Sequence, residues 1–184
     1  MTENVTNTIS DYEYGKDKIN TATTKGALDI ANIKVGTDGT IGYGTGEGTA
    51  KIGNDGQSVY AATLADADGR NKRNVGWTGA EGGMINATSL TERVVLIGNA
   101  EGAHDTLMGG QAGDTLKAGT GASSLWGGAG NDVIISSSTD SNEIFFLAGD
   151  GKDTVQGFTA YTEATADTAD VLDFYGQGAT DIKM

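Results

Sequence analysis

The chain has 184 residues, which is enough for one domain of ordinary size or two small ones. It carries 25 acidic against 12 basic residues, and the formal charge of −13 argues against nucleic acid and anionic membrane surfaces as partners. The absence of cysteine excludes disulfides and thiolate metal sites, and a single histidine argues against a zinc centre. Thirty glycines without any proline favour tight turns and short strands over long helices.

The N-terminus gives no targeting signal. The first residues, MTENVTNTISD, lack the basic and apolar regions of a secretory signal peptide. This is compatible with cytosolic residence, with export that needs no N-terminal signal, and with a segment excised from a longer protein. No apolar run of about 18 residues occurs, so we predict no membrane insertion.

Residues 1–99 have the pattern of short strands. Residues 35–56 alternate small, polar and apolar side chains between glycines, which is typical of strands rather than helix. The polar stretch 65–74 suggests an exposed loop, and the apolar run that ends at Asn99 suits a buried strand. We therefore predict a strand-rich β region of uncertain topology over residues 1–99, followed by a second region over residues 100–184, with a compositional shift near Ala100.

Two segments near the ends of the chain contain similar residues in the same order. The first comprises Thr8–Tyr12, Asp17 and Gly26–Ile30, and the second comprises Thr154–Phe158, Asp170 and Gly178–Ile182. If the likeness is a true repeat, the chain spans slightly more than one period of a tandem array. The alternative is a chance similarity between strand and turn sequences of biased composition.

Residues 127–135 fit the pattern G-G-x-G-x-D-x-U-x at every position, and three nonapeptides precede them in the same register, at 100–108, 109–117 and 118–126. In such a repeat the first six residues form a turn and the last three a short strand, so successive repeats lie on alternating sides of a flattened coil. The residues at position eight are predicted to point inward and stack into a thin core: Leu107, Leu116, Leu125 and Ile134.

Turns on one side of this coil are two repeats apart, which places Asp114 over Asp132. Calcium takes six to eight oxygen ligands at about 2.3–2.6 Å, and carboxylates with backbone carbonyls from two stacked turns can supply them. We therefore predict a calcium site at this pair of aspartates and the glycines of their turns: Gly109, Gly110, Gly127, Gly128 and Gly130.

The opposite side of the coil offers a poorer site. Asp105 faces Ser123, which places a neutral hydroxyl at the acidic position. Residues 100–103 lack the glycine pair, so the first turn is expected to be only partly formed. Asp105 is thus the candidate ligand of a weaker or missing calcium site.

These residues allow a family resemblance to be stated. Residues 100–174 resemble the RTX (repeats-in-toxin) calcium-binding β-roll of bacterial proteins exported by type I secretion. Residues 141–155 are similar to the segment that often follows such a roll, and Asp170–Phe174 to its closing strand. The resemblance implies further candidate ligands at Glu143, Asp150 and Asp153, although aligning residues 151–153 on 130–132 breaks the nine-residue register by three.

Other constellations favour ordinary structural roles. His104 falls within a turn and lacks the partners of a catalytic triad. Residues 42–48 are rich in glycine but lack the ending of a phosphate loop, and residues 66–69 begin like an EF-hand loop that has Trp77 where glutamate is required. The aromatic side chains Trp77, Trp126, Tyr43 and Tyr175 are more consistent with packing than with a sugar-stacking platform.

The sequence thus predicts an all-β, non-enzymatic protein with a parallel β-roll or β-solenoid in its second half that binds Ca²⁺. We expect a structural repeat module of a large secreted or cell-surface bacterial protein, of adhesin or surface-layer type, that folds on calcium binding outside the cell. Its partners would be calcium ions, neighbouring copies of the module, and a cell-surface or carbohydrate ligand. The alternatives are a C-terminal accessory domain of a secreted hydrolase or toxin, and a carbohydrate-binding surface module.

Overall fold

The computed structural model describes residues 6–9, 11–14, 16–20, 33–43, 49–52, 57–65, 72–99, 104–136 and 139–175. Within these ranges the protein is almost entirely β, with no α-helix and a single 3-10 helix at Glu163–Thr165. None of the described residues belongs to a helix that is long and apolar enough to span a membrane. Residues 100–103, 26–30 and 178–182, on which two of the sequence predictions bear, lie outside the described residues.

The strands of the first half are β1 Thr6–Ile9, β2 Ile19–Asn20, β3 Ile33–Val35, β4 Thr40–Tyr43, β5 Thr49–Ile52, β6 Val59–Ala65, β7 Lys72–Thr78, β8 Gly83–Asn86 and β9 Val94–Ile97. Those of the second half are β10 Asp105–Met108, β11 Thr115–Lys117, β12 Ser123–Trp126, β13 Val133–Ile135, β14 Glu143–Leu147, β15 Thr154–Gln156 and β16 Val171–Tyr175. They form three sheets, in the orders β1-β5-β4-β3, β16-β14-β12-β10-β8 and β15-β13-β11-β9-β7-β6-β2.

The second half is a parallel β-solenoid, as the sequence predicted. From β8 onward the chain alternates between two sheets, and every neighbouring pair from β8 to β16 is parallel. The coil makes about four turns across residues 74–156. The nonapeptide period sets its register, because Asp105 lies opposite Ser123 and Thr115 opposite Val133, two repeats later in each case.

The core of the solenoid is a stack of single side chains. Leu107, Leu116, Leu125 and Ile134 are all fully buried, which confirms the predicted inward direction of position eight. Ile144 extends the stack beyond the nonapeptides. Each strand of the stack contributes one of these apolar side chains, and burying such a side chain stabilises the fold by about 1.5–3 kcal/mol.

The first half is strand-rich, as predicted, and has its own core. The strands β6 and β7 form an antiparallel hairpin, and β3, β4 and β5 form an antiparallel sheet. Trp77 is fully buried, stacks on Tyr60 at 5.7 Å between ring centroids, and donates a hydrogen bond to the Gly36 carbonyl at 3.2 Å. The interpretation of Trp77 as a packing residue is thus confirmed.

One part of the loop prediction for residues 65–74 was wrong. Ala65 ends β6 and Lys72–Asn74 begin β7, because these polar residues pair across the hairpin with residues 63–65. Asn74 on β7 then pairs in parallel with Val94 on β9. The hairpin therefore connects the first half to the solenoid sheet.

Candidate calcium site

Three aspartates form a continuous line along one edge of the solenoid. They are Asp114, Asp132 and Asp153, each directly before a strand (β11, β13 and β15), and we call them the acidic ladder. Each carboxylate accepts a hydrogen bond from the backbone amide one coil earlier: Val94 to Asp114 at 2.9 Å, Asp114 to Asp132 at 2.7 Å and Asp132 to Asp153 at 2.9 Å. The structure therefore brings together the two aspartates that the repeat period placed in one site.

The centre of this ladder holds a buried oxygen without a hydrogen-bond partner. The side chains of Asp114 and Asp132 are 2% and 1% exposed. Among the described residues, Asp132 Oδ1 accepts the Asp114 amide, whereas Asp132 Oδ2 is buried and makes no hydrogen bond. A buried charged oxygen without a partner is costly, so this atom is where a cation would be most stabilising.

The ladder holds negative charge poorly when no cation is bound. Burial raises the pKa of Asp132 to about 7 against the hydrogen bond from Asp114, and the charges of Asp153, Asp114 and Asp150 add to the rise. Burial also raises the pKa of Asp114 and that of Asp153. A divalent cation would remove the repulsion between these groups and stabilise their ionised forms.

The turn glycines let the backbone approach these carboxylates. A Cβ on Gly127 would lie 2.4 Å from Asp132 Oδ2, and one on Gly109 would lie 3.0 Å from Asp114 Oδ2. The Gly110 amide donates to Asp114 Oδ2 at 2.6 Å. Each glycine pair at the start of a repeat therefore wraps around the aspartate at position six of the same repeat.

The stacked turns are also in close contact with one another. A Cβ on Gly109 would lie 2.1 Å from the Gly127 carbonyl oxygen, and one on Gly128 would lie 2.4 Å from the Gly110 carbonyl oxygen. Gly128 and Gly130 have positive φ angles of 85° and 139°, which side chains of L-residues rarely adopt. Only glycine at these positions allows the two turns to stack this closely.

The donors at this edge suit calcium. No three His, Cys, Asp or Glu side chains within the described ranges converge as a metal cluster. An ion would therefore be held by the carboxylates of Asp114 and Asp132 together with backbone carbonyl oxygens of the glycine turns. Hard oxygen donors of this mixed kind are typical calcium ligands. The buried Oδ2 of Asp132 has no hydrogen-bond partner among the described residues, and such an ion would supply one.

The opposite edge carries a second line of polar residues, Asp105, Ser123, Asn142 and Asp170, which we call the mixed ladder. Asn142 Oδ1 accepts from the Ser123 amide at 3.0 Å, and Asp170 Oδ1 accepts from the Asn142 amide at 2.9 Å. The Ser136 hydroxyl also donates to Asp170 Oδ2 at 2.8 Å. Neutral side chains therefore separate the two aspartates of this edge and satisfy one of them by hydrogen bonds.

Asp105 is buried next to a glycine, as the aspartates of the acidic ladder are. It is 1% exposed and lies opposite Ser123 in the sheet, as the repeat period predicted. A Cβ on Gly98 would lie 2.5 Å from Asp105 Oδ2. Asp105 therefore also lies against a glycine, here one that precedes its repeat, although its ladder neighbour is the hydroxyl of Ser123.

The three candidates from the family resemblance have different surroundings. Glu143 is exposed at the start of β14, and the preceding Asn142 occupies the ladder position. Asp150 is buried and closes a turn, since its Oδ2 accepts from Trp126 Nε1 at 2.9 Å and from the Leu147 amide at 2.6 Å. Asp153 joins the acidic ladder, because the Gly130–Gly151 bridge restores the register after the insertion.

Sequence reasoning missed the ladder positions of Asn142 and Asp170. A signal was present: each stands two residues before an inward apolar residue, Ile144 or Leu172, as Asp132 stands before Ile134. His104, interpreted as a turn residue, is exposed, and its Nδ1 lies 3.1 Å from the Ala122 carbonyl oxygen.

No curated protein and no solved structure matches the chain. Residues 108–140, however, match the family model described as RTX calcium-binding nonapeptide repeat (4 copies). The matched stretch includes Asp114, Asp132 and the glycine turns around them, and it confirms the family resemblance there. Residues 108–140 therefore carry nonapeptide repeats of the RTX calcium-binding family, whose ligand is Ca²⁺.

Proposed function

We propose that this protein is a non-enzymatic structural repeat module of a secreted or cell-surface bacterial protein, and that calcium drives the closure of its solenoid. The observation that carries the proposal is the buried, partnerless Oδ2 of Asp132 beside Asp114, within the stretch that matches the calcium-binding repeats. We assign the principal site to these two carboxylates and to the carbonyls of the turns 109–113 and 127–131.

Electrostatic repulsion couples the folding of the solenoid to calcium. Without a cation, closing the coil buries the carboxylates of the acidic ladder next to one another, which opposes folding. Calcium turns the same geometry into a favourable one, because binding to the folded ladder adds its free energy to folding. The overall charge of −13 acts in the same direction, since self-repulsion expands the unneutralised chain.

This coupling suits a protein that works outside the cell. In low calcium the second region, residues 100–184, would stay expanded, and extracellular calcium would close it. Asp153 extends the ladder beyond the nonapeptides and is proposed as a further ligand, whereas Asp105 belongs to a weaker site beside Ser123. The role is that of an extender or adhesive repeat, with the β-rich residues 1–99 forming part of the same rod.

Circular dichroism and thermal melting during a calcium titration test this proposal, with magnesium as the control ion. We expect calcium to increase the β signal and the Tm of the natural chain, and to have little effect on Asp114→Asn/Asp132→Asn. The matched control is Glu163→Gln/Asp167→Asn, which removes the same charge from two exposed residues. An equal rise in Tm for the ladder variant and the natural chain would contradict the proposal.

A further inference from the structure

The two ends of the described fold are built from similar units. The N-terminal unit consists of β1, a turn and β2 (residues 6–20), and the C-terminal unit consists of β15, a loop and β16 (residues 154–175). In both, an aspartate just before the second strand caps the turn. Asp17 Oδ2 accepts from the Glu13 amide at 2.7 Å, and Asp170 Oδ2 accepts from the Thr159 amide at 2.8 Å.

The sequence likeness and the hydrogen bonds coincide. The two capped amides, Glu13 and Thr159, each follow an aromatic residue, Tyr12 or Phe158. These aromatic residues are the last residues of the similar segments Thr8–Tyr12 and Thr154–Phe158. The hydrogen-bond pattern is an observation independent of that likeness, and it favours a true repeat over chance similarity.

The units also pack in the same way. Ile9 of β1 and Ile19 of β2 pack against the core of the first half. Val155 of β15 and Leu172 of β16 pack against the core of the solenoid. Each unit therefore covers one end of a core with one apolar side chain from each of its two strands.

Both units lie at sheet edges. Among the described strands, β1 pairs in parallel with β5 alone and β2 with β6 alone, while β15 pairs in parallel with β13 alone and β16 with β14 alone. The C-terminal unit also carries most of the exposed large apolar side chains of the described chain: Phe158 at 38%, Val171 at 50%, Tyr161 at 73% and Tyr175 at 73%. Unpaired edges with apolar side chains are surfaces on which another chain can add strands.

We propose that a second copy of this chain stacks on the C-terminal unit of the first copy. In this contact the C-terminal unit of the first copy takes the place that the N-terminal unit of the second copy occupies within a single chain. Strand β15 then pairs along β5 of the second copy, and β16 pairs along its β6. This inference rests on the proposed function as a structural repeat module, and it names the partner and the mode of assembly. One unit would serve as the last coil of one copy and the first coil of the next.

The existing pairs fix the register of this contact. Ile9 lies opposite Ile52 and Ile19 opposite Leu64 within one chain. By equivalence, Val155 lies opposite Ile52 of the second copy, and Leu172 lies opposite its Leu64. Thr8 lies opposite Lys51, so Thr154, which is exposed, lies opposite Lys51 of the second copy.

The contact is head-to-tail, so it extends into a filament instead of closing into a pair. Within one chain the Tyr12 hydroxyl accepts a hydrogen bond from the Thr63 amide at 2.6 Å. Phe158 has no hydroxyl, and the stacked contact therefore lacks this hydrogen bond. Separate chains would keep their own N-terminal units, whereas copies joined in one polypeptide gain from their high effective concentration.

Disulfide trapping between full-length chains tests the stacking in saturating calcium. The chain has no cysteine, so two introduced residues are the only thiols. The donor is Thr154→Cys, and the acceptor is Lys51→Cys with Ile9→Asp and Ile19→Asp, which free its β5 and β6 edges. Adjacent strands lie about 4.7–4.9 Å apart, which is within the Cα separation of about 4.4–6.8 Å that a disulfide allows.

We expect about tenfold more donor–acceptor disulfide than with a control donor that also carries Leu172→Asp, because a charge in the apolar contact opposes docking. A second arm keeps all native residues of the N-terminal unit. Two full chains are fused in tandem, with Thr154→Cys in the first and Lys51→Cys in the second, and the internal disulfide is expected to form. The stacking would be overturned if separate chains gave no more disulfide than the Leu172→Asp control and the tandem chain gave no internal disulfide.

The same samples separate this inference from the proposed function. A calcium-dependent rise in Tm without any specific disulfide would leave the calcium module standing and refute the stacking. A specific disulfide in a protein whose Tm does not respond to calcium would support the stacking and refute the calcium-driven closure.

Discussion

The sharpest test of the acidic ladder is Asp132→Asn, because its effect on stability should change sign with calcium. In the calcium-free protein Asp132 is a buried carboxyl with its pKa raised to about 7, chiefly by burial, beside other carboxylates. The substitution keeps the shape of the side chain and removes the charge. It also relieves repulsion on Asp114 and Asp153.

The expected change in stability follows from the raised pKa of Asp132. A carboxyl with an ordinary pKa near 4 in the unfolded chain and about 7 in the folded protein opposes folding by roughly 4 kcal/mol at a pH above both values. We therefore expect Asp132→Asn to be more stable than the natural chain by about 2–4 kcal/mol at pH 8 in a chelator. In calcium at about 1,000 times its dissociation constant, the natural chain gains about 4.1 kcal/mol that the variant lacks, which makes the natural chain the more stable of the two.

Urea unfolding at pH 8, followed by the fluorescence of Trp77 and Trp126, measures both differences. The exposed Asp167→Asn is the matched control and should leave the free energy of unfolding unchanged in both conditions. A lower stability of Asp132→Asn than of the natural chain in the chelator would contradict this prediction, as would an equal stabilisation of both proteins by calcium.

The remaining predictions concern pH, a turn glycine, the core and the mixed ladder. The pKa of Asp132 is higher in the folded protein than in the unfolded chain, so calcium-free stability should be greatest below about pH 4 and fall as the pH rises to about 7. In saturating calcium, stability should instead rise over the same pH range. Melting curves at several pH values, with and without calcium, show whether the two trends are opposite. Gly127→Ala should destabilise the protein by about 2 kcal/mol or more and weaken its calcium response, because the added Cβ would meet Asp132 Oδ2 at 2.4 Å. Gly149→Ala, at a glycine with a positive φ and nothing within 4 Å of its Cβ, is the control and should leave the calcium titration unchanged. Leu125→Ala should cost about 2–5 kcal/mol in urea unfolding with or without calcium, and a cost that calcium abolished would contradict the packed core. Asn142→Asp should lower the calcium-free Tm, because it places a second charge beside the Asp170 carboxylate, which accepts the backbone amide of residue 142 at 2.9 Å. An unchanged Tm would show that this edge tolerates charge.

The nine-residue period of the sequence determined the solenoid in the second half of the chain. Nine residues per half-coil fix which residues turn and which point inward, so Leu107 and Leu125 are buried for the same reason and at the same place in their strands. Glycine at the turns and aspartate at position six likewise follow from the local pattern. This periodicity alone is sufficient to place Asp114 over Asp132, and the hydrogen bond between the two residues agrees with it.

Beyond the regular repeats, the tertiary structure decided which residues join the two ladders. Asp153 enters the acidic ladder because sheet hydrogen bonds restore the register after an insertion that the period alone cannot place. Asn142 and Asp170 complete the mixed ladder because loops of unequal length still deliver each strand to the same sheet. The partnerless oxygen of Asp132 depends on how tightly two turns stack, which is a property of the folded coil and cannot be read from a single repeat.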